Sequence, residues 1–493
     1  MADLPLMPDK VSKETPAVSL AGTVAASPLG YISWAACQGA RDPYYILVVI
    51  YIFFPYFSNV VVGDPVAGQS LLGYTNAITG IILALVAPML GAVADKRGRR
   101  KPWVAATAVF MVVAASALWW AKPAGAGLGV YPTLILLIAI GIAFAIQEVF
   151  HNAMLATIAP ADRVGMISGL AYAMGNVGGL LLMVFVLLAF SLPGESSWSF
   201  VPSEPWFGLD KSSHEHNRLV GPLSAVWMLI FTLPLLLFTP DGKKSVGGFR
   251  DAINEGFSEL RDTLSELSQY GNVAMYLLAR MFYFDGMVGV MTFGGVYASG
   301  TFGWDTTALL IFGLCTSFAA MLGAYFGGLV DDALGSKRAL QVAIAVSAIL
   351  LVNAVSIHTD SLFFFVTLEN NEPVWSFPYF QTLPELLYFL NNLLFAMFFV
   401  TGLSSSRTLL VKLAPAQKIT QFFGLYALSG TVTAFLAPLM VGSFTDWFES
   451  QRVGYASLII LMLIGFGLLM LVRDAEPEAH TNTDNSGNKQ IDQ

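Results

Sequence analysis

One short loop occurs twice, and it fixes the plan of the chain. Gly91-Ala-Val-Ala-Asp95-Lys-Arg-Gly98-Arg-Arg100 separates two apolar runs; Gly328-Leu-Val-Asp-Asp332-Ala-Leu-Gly335-Ser-Lys337 separates two more. Glycine, aspartate, glycine and a closing base recur at matching steps, 237 positions apart (328 less 91). A second echo begins at Ala159-Pro160-Ala161-Asp162-Arg163, runs through Gly169-Leu170 to Gly175, and returns at Ala414-Pro415-Ala416-Gln417-Lys418, Gly424-Leu425 and Gly430, 255 positions on (414 less 159). A chain that repeats itself at this period is two copies of one unit. In a membrane, such duplication points to passage of a solute along the interface between the copies.

The membrane follows from composition. Of 493 residues, 56% are apolar and 12% charged, against about 25% charged in soluble domains. Both cysteines, Cys37 and Cys315, lie inside apolar runs, so neither a disulfide framework nor a metal site is expected. Residues 1–28 mix charges and lack the basic-then-apolar order of a signal peptide.

A bilayer core of roughly 30 Å takes about 20 apolar residues per helix. Twelve runs meet that length, near 31–59, 67–94, 103–121, 131–156, 164–191, 219–239, 272–298, 304–330, 339–357, 383–406, 419–443 and 454–472. Basic residues set the direction. One set of loops and the two tails hold Lys10, Lys13, Lys96, Arg97, Arg99, Arg100, Lys101, Arg163, Lys243, Lys244, Arg250, Arg261, Lys337, Arg338, Lys412, Lys418, Arg473 and Lys489. The opposite loops hold Lys122, Lys211, Arg218 and Arg452. Both termini are therefore expected in the cytoplasm.

The expected architecture is an all-α membrane protein with twelve transmembrane helices in two pseudo-symmetric six-helix bundles. The expected divisions are a cytoplasmic tail at 1–28, a first bundle at 29–240, a linker at 241–271, a second bundle at 272–473 and a disordered tail at 474–493. Within the linker, Phe249, Ile253, Phe257, Leu260, Leu264 and Leu267 recur at helical steps. The opposite face is mostly acidic, so an amphipathic helix lying on the protein is expected there. The loops at 192–218 and 358–382, rich in Trp, Phe, Pro and Ser, read as external caps.

Charges inside a bilayer are costly, roughly 2.5–3.5 kcal/mol each on insertion scales, and must face a cavity or one another. Arg41 and Asp42 stand halfway along the first span. Gln38, Arg41 and Tyr45 share a stripe beside Asp42. Pro43 cannot donate to the carbonyl of Gly39, so a kink and a freed carbonyl are expected. These residues read either as a substrate site or as a structural pair bonded to a neighbouring span. Asp285 on the seventh span and Asn391 on the tenth are further candidates for substrate contact; Asn391 reads equally as helix glue. On the fourth span Glu148, His151 and Asn152 fall on one face. Carboxyl and imidazole groups exchange protons near neutrality in such settings, so Asp42, Glu148, His151 and Asp285 are the candidates for proton coupling.

Twelve spans carrying a repeated Gly-x-x-x-Asp-x-x-Gly-x-Arg/Lys loop resemble the major facilitator superfamily. Within it the chain is similar to the vacuolar amino-acid effluxers linked to autophagy and their bacterial relatives. The resembling stretches are Phe53-Phe-Pro-Tyr-Phe57, Phe150-His-Asn152-Ala-Met-Leu155, Ile167-Ser-Gly-Leu170 with Gly178-Gly179, Leu278-Ala-Arg280 with Asp285-Gly286, and Phe422-Phe-Gly-Leu-Tyr-Ala-Leu-Ser-Gly430. The first span departs from that family's Trp-Ala-Leu-Tyr-Asp-Trp-Ala-Asn: here it reads Trp34-Ala-Ala-Cys37-Gln38-Gly-Ala-Arg41-Asp42, with Gln38 in place of the acid. The resemblance implies the major-facilitator fold. It also implies that the two loops, Gly91, Asp95, Gly98 and Arg100 with Gly328, Asp332, Gly335 and Lys337, latch the bundles when the cavity faces outward.

The expectation is a secondary active transporter of the bacterial inner membrane. It moves a small polar solute, an amino acid or similar zwitterion, by alternating access with a proton as coupling ion. Sugars or peptidoglycan fragments are the alternative cargo. A non-transporting sensor or assembly partner is the alternative of another class. No phosphate-cradling Gly-x-x-x-x-Gly-Lys-Ser/Thr segment occurs. The expected partners are a small-molecule substrate and the lipid bilayer, with no cofactor, no nucleic acid, no enzymatic activity and a monomeric state.

Overall fold

The computed structural model describes residues 18–19, 22–96, 99–160, 163–195, 198–242, 258, 261, 265, 267, 269–368, 372–415 and 419–473. Among them are twelve membrane-length apolar helices. In the first half these are α1 (Pro28–Val62), α2 (Pro65–Lys96), α3 (Lys101–Trp120), α4 (Val130–Ile158), α5 (Val164–Ser191) and α6 (Glu215–Phe238). In the second half they are α7 (Gly271–Phe302), α8 (Thr306–Leu334), α9 (Ser336–Ser356), α10 (Leu383–Leu413), α11 in two pieces (Ile419–Val432 and Leu436–Phe448) and α12 (Gln451–Leu471). A short antiparallel hairpin, β1 (Ser361–Leu362) with β2 (Val366–Thr367), stands in the loop after α9. The linker reading falls almost wholly outside the described residues, as do 1–17 and 474–493.

Local chemistry starts the helices. The Ser27 hydroxyl accepts from Gly30 N at 3.3 Å with Pro28 opening α1, and Asp305 accepts from Ala308 N at 2.8 Å ahead of α8. Thr382 and Glu385 form a reciprocal capping box at the start of α10. Two prolines interrupt α1. Pro43 precedes a wider π-type stretch at Tyr45–Tyr51, and Pro55 precedes another at Phe57–Val62.

Packing repeats between the halves. α1 lies against α5 and α6 as α7 lies against α11 and α12; α2 meets α4 as α8 meets α10; α3 meets α4 and α6 as α9 meets α10 and α12. Polarity is distributed for lipid. Leu85, Val113, Ile135, Leu181, Leu233, Phe318 and Leu463 are exposed, while Arg41, Gln69, His151, Asp285 and Asn391 are buried. Hydrocarbon surroundings make an apolar exterior favourable and leave polar groups to satisfy one another inside.

The membrane faces differ. One, here the basic end, carries Arg99, Arg100 and residues 335–338; the other carries the described residues of 192–218 and 358–382. Every described side-chain hydrogen bond between the halves lies from mid-helix to this second, aromatic end. Tyr45 meets Thr292 at 3.0 Å, Tyr51 meets Thr316 at 3.0 Å, and Asn59 donates to Ser299 at 2.7 Å. Gln69 donates to Thr445 Oγ1 at 2.8 Å and to the Gln451 carbonyl at 3.0 Å, and Gln451 returns a bond to the Pro65 carbonyl at 2.8 Å. Between them α2 and α11 cross at Gly73 and Gly442, where a Cβ on Gly73 would stand 2.5 Å from Gly442 Cα. The halves are thus joined at the aromatic end. At the basic end, Arg407 of α10 lies 5.3 Å over the ring of Tyr172 on α5.

Candidate functional site

Four side chains converge where α1 passes α4 and α5. Arg41 is 2% exposed, and its Nη2 donates to Gln38 Oε1 at 2.8 Å. Its guanidinium lies 3.6 Å from Asp42 Oδ1 and 3.6 Å from Glu148 Oε1. Gln38 Nε2 donates to both oxygens of Asp42, at 2.9 and 2.8 Å, and the ring of Phe144 supports Arg41 at 4.8 Å. The carboxylates are the open part: side-chain exposure is 24% at Asp42 and 44% at Glu148. Two carboxylates against one guanidinium leave one negative charge in excess when all three are ionised. Room for them comes from Gly175 on α5, whose Cβ would stand 3.1 Å from Asp42 Cγ.

The sequence places Gln38, Arg41 and Asp42 together and brings Glu148 near as a separate candidate. Its bridge to Arg41 comes from the folded packing of α4 on α1. Pro43 does free the carbonyl of Gly39, but that oxygen accepts from Trp227 Nε1 of α6 at 2.8 Å. It therefore adds nothing to the polar patch. Tyr45, at the far end of the stripe, bonds across to α7 through Thr292.

The other candidates scatter. His151 is 1% exposed and stacks on Trp34 at 4.6 Å. Its Nε2 donates to the Trp34 carbonyl, and Trp34 Nε1 donates to the His151 carbonyl, both at 2.8 Å. This reciprocal clamp binds α4 to α1 away from the open carboxylate of Glu148. Asn391 accepts from Asn353 Nδ2 at 2.9 Å and donates to the Leu350 carbonyl at 3.0 Å, which ties α10 to α9. Asp285, 5% exposed, accepts from Ala437 N at 2.9 Å. That amide belongs to the first turn of the second piece of α11, so Asp285 caps a broken helix at its positive end.

In the repeated loops, Gly98 and the side chain of Asp95 lie outside the described residues; Gly91 is within α2. Arg100 is buried and presents its amide to Asp241 at 2.8 Å, where α6 ends. In the second copy Gly328 lies in α8, Asp332 is exposed, and Gly335, at φ 83°, turns the chain toward Lys337 at the start of α9. The buried acid is its neighbour Asp331. It accepts from Ser336 Oγ at 2.9 Å and lies 3.9 Å from Lys412. The repeat spacing singles out Asp332, and only the three-dimensional neighbourhood singles out Asp331.

Residues 56–477 match the family model described as vacuole effluxer Atg22 like. The chain belongs to that family. It is 26% identical over 459 residues to the uncharacterized MFS-type transporter YxiO of Bacillus subtilis (strain 168), a match spanning 92% of this chain and 95% of that one. It is 23% identical over 327 residues to autophagy-related protein 22 of Yarrowia lipolytica, spanning 62% of this chain and 50% of the fungal protein. A D-xylose–proton symporter structure superposes with a TM-score of 0.61 at 17% identity, covering 92% of this chain and 99% of that one, so the two chains share a fold. The Atg22-like chain is thus a multi-pass membrane transporter of the major facilitator type, not an enzyme.

Proposed function

We propose that this Atg22-like transporter moves a small zwitterionic solute, an amino acid or a close relative, by proton-coupled alternating access. The observation that carries the reading is the excess negative charge at mid-membrane: Arg41 neutralises one of two carboxylates, and both carboxylates are partly open. A mid-membrane site with one surplus negative charge attracts a cation, either the ammonium of a zwitterion or a proton. Gln38 and Arg41 orient Asp42; Glu148 presents the more open oxygen. Tyr45 links α1 to the second half through its bond to Thr292, while Asp285 and Asn391 hold helices of the second half together.

The distribution of contacts supports a conformation closed at the aromatic end. With the basic loops in the cytoplasm of a bacterial cell, this is the inward-open state, and an exposed Asp332 fits a latch disengaged in that state. The unit of function is a monomer in the inner membrane, its two bundles at 29–240 and 272–473 rocking about the shared aromatic end. The test is counterflow in proteoliposomes with radiolabelled amino acids, sugars and peptidoglycan fragments, with and without an imposed pH gradient. Acceleration by amino acids that responds to the gradient supports the reading. Acceleration by sugars or peptidoglycan fragments alone overturns the zwitterion. No acceleration by any of the three overturns carriage of these solutes.

A further inference from the structure

Among the described residues, the second half buries a cation with no acid beside it. Arg280 of α7 is 5% exposed. Its Nη1 donates to the Tyr426 carbonyl and to Ser429 Oγ, both at 2.8 Å, and its guanidinium lies 4.4 Å from the ring of Phe284 and 3.6 Å from that of Tyr426. Among the described residues no carboxylate comes within 4.0 Å, and Nε is buried without an acceptor. Neutral oxygens and ring faces hold the group in place, but they leave its charge whole. Buried guanidinium groups ordinarily meet an anion, and an ionisable residue at this depth marks a site.

Three further features fit an anion. Gly430, partly exposed, lies against the guanidinium: a Cβ there would stand 3.0 Å from Nη1 and 3.3 Å from Nη2. Beside it the Ser406 hydroxyl meets the hydroxyls of Tyr276, Tyr283 and Tyr426 at 2.8, 2.8 and 3.1 Å; Tyr276 donates to the Ser406 carbonyl, which leaves the Ser406, Tyr283 and Tyr426 hydroxyls as the donors of the cluster. Finally, Gly430 is the repeat partner of Gly175. Each glycine, on α11 and α5 respectively, makes room for a charged group on the first helix of its own half. In the first half that group is a carboxylate, Asp42; in the second it is a guanidinium, Arg280. The two related places carry opposite charge.

We infer that Arg280 receives the carboxylate of the transported solute, reached past Gly430. Arg41, already held by two acids and Gln38, serves the first half and not the ligand's anion. A planar guanidinium suits a carboxylate, since paired N–H donors match its two oxygens. The ammonium belongs to the zwitterion reading, on which the inference rests, but the anion site at Arg280 stands or falls separately.

Three probes of one skeleton separate the charges: L-phenylalanine, 3-phenylpropionate and phenethylamine, chosen because Phe144, Phe284 and Tyr426 wall the two groups. Binding is measured on the full chain in lipid nanodiscs. Arg280→Gln is expected to weaken L-phenylalanine and 3-phenylpropionate by about tenfold or more and to leave phenethylamine unchanged. Gly430→Ala, which keeps the charge and fills the approach, is expected to weaken the same two probes; Arg280→Lys is expected to restore part of the loss. Wild-type affinity for both carboxylate probes in Arg280→Gln overturns the inference. So does a wild-type chain that binds neither of them. If Arg280→Gln fails to fold, wild-type carboxylate affinity in both Arg280→Lys and Gly430→Ala overturns it instead. Binding of 3-phenylpropionate that depends on Arg280, without binding of L-phenylalanine or phenethylamine, would retain the anion site and remove the zwitterion.

Discussion

The indole N–H of Trp227 on α6 donates to the carbonyl oxygen of Gly39 on α1 at 2.8 Å. Pro43 leaves that oxygen without its helical donor, and in hydrocarbon an unpaired carbonyl is costly. The bond lets α1 carry a proline one residue after Asp42 without exposing raw backbone beside the charged cluster. Trp227→Phe keeps an aromatic ring and removes the donor. The expected loss is about 1–3 kcal/mol of stability, read as a lower unfolding temperature in nanodiscs with little change in substrate affinity.

Proton coupling by the first-half carboxylates gives a split among three acids. Asp42→Asn and Glu148→Gln remove an open carboxylate next to Arg41. At least one of the two should abolish gradient-driven transport while substrate exchange persists. Asp285→Asn should behave otherwise, because Asp285 caps the second piece of α11. Its loss should lower stability by about 0.5–2 kcal/mol and depress driven transport and exchange together. Gradient-driven transport retained in both first-half variants would exclude these carboxylates as the coupling site.

At the aromatic end, Gly73→Ala places a methyl group 2.5 Å from Gly442 Cα. Overpacking of this kind costs about 1–3 kcal/mol, and the closed arrangement bears that cost. Spin labels at Asp64 and Glu449, both exposed, should move apart by pulsed electron resonance, and transport should slow. An unchanged distance would mean that this crossing does not hold the halves together.

Orientation is tested by labelling intact cells carrying single cysteines, with Cys37 and Cys315 replaced by Ala. Ser212→Cys, on an exposed position in the loop after α5, should react with an impermeant maleimide. Asp332→Cys, at the basic end, should react only after permeabilisation. The reverse pattern would invert the topology.

The loop after α5 carries a pH signature. Asp210 accepts from Ser212 N at 2.8 Å and from the hydroxyls of Ser212 and Ser213 at 2.6 Å each. These bonds to the charged form lower its pKa from 3.8 to about 2. A depressed folded value means the loop's stabilisation is present above 3.8 and lost as pH falls through about 2. Replacing both serines by Ala should return the titration of Asp210 toward 3.8, followed by carboxyl carbon NMR.

The fold was legible because membrane length and repetition are local properties of a sequence. Twelve apolar runs and two echoed loops needed no knowledge of which helix meets which. Gln38, Arg41 and Asp42 were legible as a cluster for the same reason, being neighbours on one helix. Partnerships across helices were not. Trp227 carries no sign of its partner until α6 lies on α1. His151 shares a helical face with Glu148 in a diagram, yet Trp34 captures its ring. Asp285 looks like a cavity acid until the break in α11 is placed beside it. In each case the deciding group lies a hundred or more residues away, where periodicity carries no signal.

Helix α11 stops at Val432 and restarts at Leu436, and α7 ties both pieces: Arg280 donates to the Tyr426 carbonyl in the first, and Asp285 accepts from the Ala437 amide at the start of the second. The sign at Asp285 matches the positive partial charge where a helix begins. Five residues separate the two side chains, roughly 7.5 Å along α7. They act as a ruler laid against the gap. Sliding α7 by one turn would set an aspartate toward carbonyl oxygens and an arginine away from them. The two bonds oppose a ratchet of one helix past the other and favour a tilt of α7 and α11 as one beam.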